Sequence, residues 1–109
     1  MFAPLPAPPY YAVIFAALRS EGDAGYGAMA DKMVAMAAQQ PGYIGIESTR
    51  DETGFGITVS YWQDEEALRN WKQVSEHLLA QKLGKERWYR HYTLRVAKVE
   101  RAYSGPDHR

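Results

Sequence analysis

The segment that most constrains this chain is its first long apolar run, Tyr10–Arg19, which reads YYAVIFAALR. A strand with one face in water alternates apolar and polar residues, but here both alternating sets are apolar. The run is far shorter than the ~20 residues that cross a bilayer as a helix. It therefore predicts a strand that is covered on both of its faces.

The rest of the chain carries the patterns of two helices and three more strands. Apolar residues recur at helical spacing after Tyr26 and again after Asp64, whose residue type is typical of a helix N-cap. Period-two alternation and a turn ending at Gly54 indicate a hairpin between the helices. The predicted elements are a helix at 26–39, strands at Tyr43–Arg50 and Phe55–Trp62, a helix from Asp64 to about Gly84 with a break near Ser75, and a strand at 92–103 with a bulge at Ala97-Lys98.

The same spacing predicts which side chains face the interior. In the strand from Tyr43 to Arg50, Ile44 and Ile46 are expected on one face, with Tyr43, Gly45 and Glu47 on the other. Four further residues are expected between the helices and the sheet: Met29, Met33, Leu68 and Leu78.

The order strand, helix, strand, strand, helix, strand predicts an α+β fold of the ferredoxin-like, split βαβ type, with a four-stranded antiparallel sheet. Helices then lie on one face of the sheet only, so a second copy of the chain is the simplest cover for the other face. We therefore expect a homodimer. We expect one domain at 10–103, between an extended proline-rich arm at 1–9 and a flexible tail at 104–109.

Composition narrows the classes of function. Thirteen basic residues balance thirteen acidic ones, which argues against a nucleic-acid partner. The chain has no cysteine and three scattered histidines, so neither a metal site nor a thiol nucleophile is expected. No secretory signal or membrane span is visible, and a cytoplasmic location is the expectation.

Aromatic residues are the unusual part of the composition. Eight Tyr, three Trp and three Phe make up 13% of the chain, and many lie near His77 and His91. Such side chains combine a large apolar area with a polar group. They predict a large buried interface, an aromatic cavity, or both.

The residues around the second helix resemble the antibiotic biosynthesis monooxygenase family. The segment from Ser60 to Tyr92, SYWQDEEALRNWKQVSEHLLAQKLGKERWYRHY, has a strand ending in Tyr-Trp, an acidic helix start and Trp71 within the helix. The preceding QQPGYIGIES has a similar turn into the second strand. The resemblance covers residues 10–103. It implies a ferredoxin-like protomer, a dimeric α/β barrel and one cavity per protomer between sheet and helices.

The resemblance implies one of two chemistries. Some family members oxygenate phenolic or quinol-like compounds with O₂ and no cofactor, and others bind and degrade haem. The haem pattern has an Asn late in the first strand, a Trp on the second helix, and a His ten residues after that Trp. Trp71 matches, but Gln81 stands at the His position and the chain's one Asn is Asn70. Cofactor-free oxygenation of a small aromatic molecule is therefore the leading interpretation.

Such a reaction needs a base, a group that stabilises an aromatic anion, and a dry aromatic pocket. His77 is the predicted base, because histidine alone has an unperturbed pKa near neutrality, at ~6.5. A helix break near Ser75 is expected to bring it toward the cavity. Arg87 is expected to hold the anionic oxygen. The predicted substrate-binding residues are Trp71, Trp62, Arg87, Trp88 and Tyr89.

Two other functions stay open on this fold. One is a dimer that binds a small molecule or haem without catalysis, and the other is isomerase-type chemistry. Haem binding lost on substituting His77 would favour the first of these.

Overall fold

The computed structural model describes residues 1–20, 26–81 and 89–106, with the backbone alone at 26, 28, 29 and 78–81. The elements follow in the predicted order: β1 (Tyr10–Arg19), α1 (Tyr26–Ala38), β2 (Tyr43–Arg50), β3 (Phe55–Trp62), α2 (Glu65–Gln81) and β4 (Tyr89–Val99). The predicted bounds of β1, β2 and β3 are confirmed.

The four strands form one antiparallel sheet in the order β2-β3-β1-β4, so β1 and β3 are central. Tyr11 of β1 lies opposite Trp62 of β3, and both belong to the core that α2 covers. We call this the helix-side face. The predicted ferredoxin-like arrangement, with both helices on one face of the sheet, is confirmed.

The core of the helix-side face is built around Trp62, which is fully buried. Its Nε1 donates to Ser60 Oγ at 2.9 Å, so burial leaves the indole N–H paired. The ring stacks on Trp71, with centroids 5.8 Å apart, and meets Tyr43 edge-on at 5.6 Å. Leu68 is 8% exposed in the same cluster, as its helical spacing predicted.

The start of α2 is fixed by a cap and by a close approach of two backbones. Asp64 Oδ1 accepts a hydrogen bond from the Ala67 N–H at 2.8 Å, which confirms the predicted N-cap. Gly42 has φ +82, and a Cβ there would lie 2.5 Å from the Cβ of Ala67. Glycine at this turn therefore allows α2 to pack against the start of β2.

Two expectations about the second half of the chain are wrong. α2 runs without a break through Ser75, whose hydroxyl donates to the Lys72 carbonyl at 3.0 Å and so stays within the helical turn. β4 spans Tyr89–Val99 instead of 92–103, and it pairs with β1 in continuous register at Ala97 and Lys98. The irregularity in this pairing lies at the start of β4, where Leu18 is opposite His91 and Arg19 is opposite Tyr89.

The expected faces of β2 are also wrong at its start. Tyr43 lies opposite Trp62 and Gly45 opposite Tyr61, so Ile44 is one extra residue on this strand. The bulge places Tyr43 and Gly45 on opposite faces of the sheet. It is this shift that allows the Tyr43 ring to pack on Trp62.

The second face of the sheet, which we call the open face, carries no helix among the described residues. Ile14 and Val59 are half-buried there, and Phe55 and Ile57 are 44% and 39% exposed. The N-terminal arm reaches this face, because the Ala3 N–H donates to Glu47 Oε2 at 3.0 Å. No helix in the described part of the chain is long and apolar enough to cross a membrane.

Candidate functional site

A cavity of about 410 Å³ lies on the helix-side face, where β1 ends and β3 begins. Its volume falls within the ~300–1,000 Å³ that is usual for small-molecule sites. We call it the strand-end cavity, and it is lined by Phe15, Ala17, Arg19, Gly27, Ala30, Asp31, Ser48, Thr49, Arg50, Gly54, Gly56 and Tyr89.

The floor of the cavity is one row of residues that crosses the sheet. Arg50 lies opposite Gly56, Gly56 opposite Ala17, and Ala17 opposite Tyr92. The two middle members are the smallest residues, which leaves space above them. A Cβ at Gly56 would lie 3.0 Å from the Thr49 carbonyl oxygen and 3.2 Å from the Arg50 Cβ. The floor is therefore shaped by the absence of side chain at this position.

One wall of the cavity is aromatic. Phe15 meets Tyr89 edge-on, with ring centroids 5.3 Å apart, and Tyr92 at 5.4 Å. Tyr89 and Tyr92 contact each other at 5.8 Å, so the three rings form one cluster. In the same row of the sheet as Phe15, Ser48 Oγ and Thr58 Oγ1 share a hydrogen bond of 2.6 Å, and Ser48 lines the cavity. This wall offers rings and hydroxyls to a flat ligand.

Charged residues lie beside this wall and across the floor from it, because Arg19 is opposite Tyr89 in the pairing of β1 with β4 and Arg50 is at the end of β2. Arg19 is half-buried at the end of β1, and Arg50 is exposed at the end of β2. Asp31 lines the same cavity from α1. The described lining therefore contains two arginines and one aspartate.

The β2–β3 turn is hydrogen-bonded to the end of β1 that carries Arg19. The Arg19 N–H donates to the Gly54 carbonyl at 3.1 Å, which joins the turn to β1. Within the turn, Asp51 Oδ1 accepts from the Thr53 hydroxyl at 2.6 Å and from its N–H at 2.9 Å. These bonds lower the pKa of Asp51, the Thr53 hydroxyl most of all. Gly54 has φ +91, which closes the turn.

The structure brings one of the predicted site residues, Tyr89, into the strand-end cavity. Trp62 and Trp71 are together in the core, outside its lining, with Trp62 fully buried and Trp71 half-buried. His77 is exposed on α2 and is not part of the lining. Arg87 and Trp88 lie outside the described residues.

Sequence reasoning missed the two arginines of the cavity. Arg19 and Arg50 each read as an ordinary charged end of a strand. The alternation of residues along β1 could have placed Arg19 near the site, because Phe15, Ala17 and Arg19 share one face of the strand. Which residue of β2 joins them depends on a register across three strands.

A second polar cluster lies on the open face. Tyr61 OH donates to Glu47 Oε1 at 2.7 Å, and Tyr10 packs edge-on against Tyr61 at 6.0 Å. Burial, followed by the Glu47 hydrogen bond, raises the pKa of Tyr61 to about 12. The hydrogen bonds from Tyr61 and then from Ala3 lower the pKa of Glu47.

Among residues 1–20, 26–81 and 89–106, no group of three or more His, Cys, Asp or Glu side chains is placed to hold a metal ion.

Comparison with known proteins agrees with this architecture. The family model for antibiotic biosynthesis monooxygenase matches residues 9–83. The uncharacterized protein YqjZ of Bacillus subtilis is 52% identical over 96 residues, which is 88% of this chain and 84% of that protein.

Solved structures show the same fold at low identity. SnoaB, a cofactor-independent oxygenase from Streptomyces nogalater, superposes with a TM-score of 0.66 at 14% identity, covering 92% of this chain and 100% of its own. Rv0793 from Mycobacterium tuberculosis gives 0.65 at 16% identity, covering 89% and 99%. SO0527 from Shewanella oneidensis gives 0.70 at 12% identity, covering 84% and 91%.

Proposed function

Because this chain belongs to the antibiotic biosynthesis monooxygenase family, we propose that it is a cofactor-independent monooxygenase that oxidises a small phenol- or quinol-like aromatic compound with O₂. The observation that carries the proposal is the strand-end cavity, with its aromatic wall at Phe15 and Tyr89 beside a floor at Ala17 and Gly56. A flat ring fits above small residues and against aromatic edges. SnoaB, a cofactor-independent oxygenase by name, has the same fold.

The proposed reaction needs no external reductant. A base takes a proton from the phenol, and the resulting aromatic anion supplies electrons to O₂. One oxygen atom becomes a ring carbonyl and the other leaves as water, so a ring C–H and the phenol O–H are converted to a quinone. All four electrons that O₂ accepts come from the substrate. The protein supplies the base, stabilises the anion and keeps water away.

We propose His77 as the base, because an imidazole nitrogen can accept the proton of a phenol. Its place on the exposed side of α2 requires the substrate to approach that helix. Asp31 is the second candidate, because its carboxylate lines the cavity. Substituting each separately distinguishes the two.

The proposed binding residues divide by position. Tyr89 contacts the cavity directly and is proposed to hold the ring. Trp71 is proposed to bind substrate from α2, and Trp62, which is enclosed, supports it through their 5.8 Å stack. Arg87 and Trp88 remain proposals from the sequence alone.

We also propose that the protein acts as a homodimer through the open face. Phe55 and Ile57 are exposed there, and Ile14 and Val59 are half-buried. Together they form an apolar surface that is in contact with water in the single chain. A stable pair requires an interface above ~1,200 Å² in total. Light scattering at micromolar concentration tests this, and a uniform 12.4 kDa monomer would contradict it.

The function is tested with purified, chelator-treated protein and a dihydroxynaphthalene probe. The probe has a ring C–H para to one hydroxyl, so we expect O₂ consumption above the rate of spontaneous oxidation and one oxygen atom from labelled O₂ in the quinone product. Arg69→Gln, an exposed substitution on α2 outside the cavity, is the matched control and is expected to behave as wild type. Probe binding without O₂ consumption would leave a binding protein and reject the oxygenase. Dependence on added flavin or iron would reject the cofactor-independent mechanism.

A further inference from the structure

We infer that the strand-end cavity selects aromatic carboxylic acids and that Arg19 and Arg50 hold the carboxylate. This inference rests on the proposed function, because it concerns the substrate class of the same site. It is carried by the two arginines that line the same cavity as the aromatic rings.

The two arginines line the cavity from different strands. Arg50 is at the end of β2 and Arg19 at the end of β1, with β3 between them. Strands are spaced ~4.8 Å apart, so β1 and β2 are about 10 Å apart across the sheet. Arg19 lies two residues beyond Ala17, the β1 residue in the row of Arg50. Two arginine side chains, one from each side, can reach a small anion in that gap. Both line the cavity, so this is a feature of one site.

The floor of the cavity determines where Arg50 lies. A Cβ at Gly56 would be 3.2 Å from the Cβ of Arg50 and 3.4 Å from its Cγ. The aliphatic stem of Arg50 therefore rests against the backbone of Gly56, in the row that Ala17 continues. The packed stem holds the Arg50 side chain at the floor of the cavity.

The cavity lining combines aromatic rings with arginine side chains. Phe15 and Tyr89 supply the rings, Arg19 lies opposite Tyr89 in the pairing of β1 with β4, and Arg50 lies across the floor at the end of β2. An aromatic acid has the same combination, with a flat apolar ring and a planar anion attached to it. Guanidinium groups match carboxylates in shape as well as charge. Asp31, which lines the cavity from α1, disfavours ligands with a second negative group.

Calorimetric titration of the full chain with two probes tests the inference. 2-Naphthoate carries the carboxylate, and 2-naphthol has the same ring system without a charge at neutral pH. We expect naphthoate to bind more tightly. Arg50→Gln is expected to weaken naphthoate binding about tenfold, the scale of one charge-assisted hydrogen bond, and to change naphthol binding less than about twofold.

Three further variants sharpen the test. Arg50→Lys keeps the charge but loses the planar fork, so it is expected to recover part of the naphthoate affinity. Arg69→Gln removes one positive charge from the exposed surface of α2 and is expected to leave both affinities unchanged. Gly56→Ala keeps every charge but crowds the Arg50 stem, and it is expected to weaken both probes.

Several outcomes would overturn the inference. Equal affinity for the two probes would do so, as would a naphthoate affinity that is the same in Arg50→Gln and wild type. With O₂ consumption retained, either result rejects charge selection alone and leaves the oxygenase standing. Absence of binding by both probes also rejects it, and O₂ consumption then decides the proposed function independently.

Discussion

On the helix-side face of β2, Ser48 and Arg50 lead into a cavity, whereas on the open face Glu47 is bonded to Tyr61 and the N-terminal arm. The same strand supplies both sets, because successive residues point to opposite faces. On the first face the polar groups line a volume that a ligand can enter. On the second they bond to each other beside an exposed apolar area. The difference supports substrate binding on one face and assembly on the other.

The largest expected effect concerns the stability of the helix-side core. Leu68→Ala removes a side chain that is 8% exposed in the helix-side core, and it is expected to lower the free energy of unfolding by ~2–5 kcal/mol. Urea denaturation measures this loss. Arg69→Ala, the exposed neighbour on α2, is expected to change it by no more than ~0.5 kcal/mol. A loss below ~1 kcal/mol for Leu68→Ala would show that α2 does not carry the core.

Turnover measurements test whether the reaction takes place on the helix-side face. His77→Gln is expected to lower turnover of a dihydroxynaphthalene by ~10²-fold, the usual scale for positioned proton transfer. Initial rates of O₂ consumption measure the effect. Glu76→Gln, which is exposed on the same helix, is the control. An unchanged rate in His77→Gln together with a loss in Asp31→Asn would transfer the role of base to α1.

The dissociation constant of the dimer tests whether the open face is the interface. Ile57→Lys puts a charge into the exposed apolar area, and it is expected to raise the dissociation constant of the dimer about tenfold or more. Sedimentation at several concentrations measures it. Val34→Lys alters an exposed apolar residue of α1 and is expected to leave the dimer intact. If both variants behave alike, the open face is not the interface.

The smallest expected effect comes from the open-face polar cluster. Tyr61→Phe removes a hydrogen bond to Glu47, which costs about 1 kcal/mol of stability near neutral pH. The pKa of Tyr61 is about 12 in the folded chain against 10.0 ordinarily, so its contribution is complete below pH 10 and is lost as the pH rises toward 12. Urea titrations across this window measure it. Tyr103→Phe, at an 83% exposed position, is the control, and equal pH dependence in Tyr61→Phe and wild type would contradict the assignment.

The sequence predicted the sheet better than its irregularities. The bounds of β1, β2 and β3 follow from alternation and turn residues, and the structure has them as expected. Ile44 could not be identified as a bulge, because apolar residues flank it and either phase of the strand looks acceptable. The extent of β4 was misplaced because pairing with β1 starts it at Tyr89, and only the folded register contains that information.

The candidate site was less accessible to prediction than the fold. Tyr89 could be found from aromatic density near the start of the last strand. Arg19 and Arg50 could not, because their presence in one cavity depends on two strand registers and on Gly56 between the strands. Local patterns report which residues share a face. They do not report which strand ends lie side by side.

The N-terminal arm has a mechanical consequence for the sheet. It leaves β1 at Tyr10 and binds β2 through Ala3 and Glu47, while β3 lies between those strands. β2 is an edge strand, so β3 is its single hydrogen-bonded neighbour in the sheet. The arm therefore links the edge strand β2 to the central strand β1 without passing through β3. Ala3 packs closely against Gly45, and this contact determines where the arm attaches to β2. We expect that removing residues 1–5 speeds amide exchange along β2 and leaves β4, the opposite edge, at its original rate.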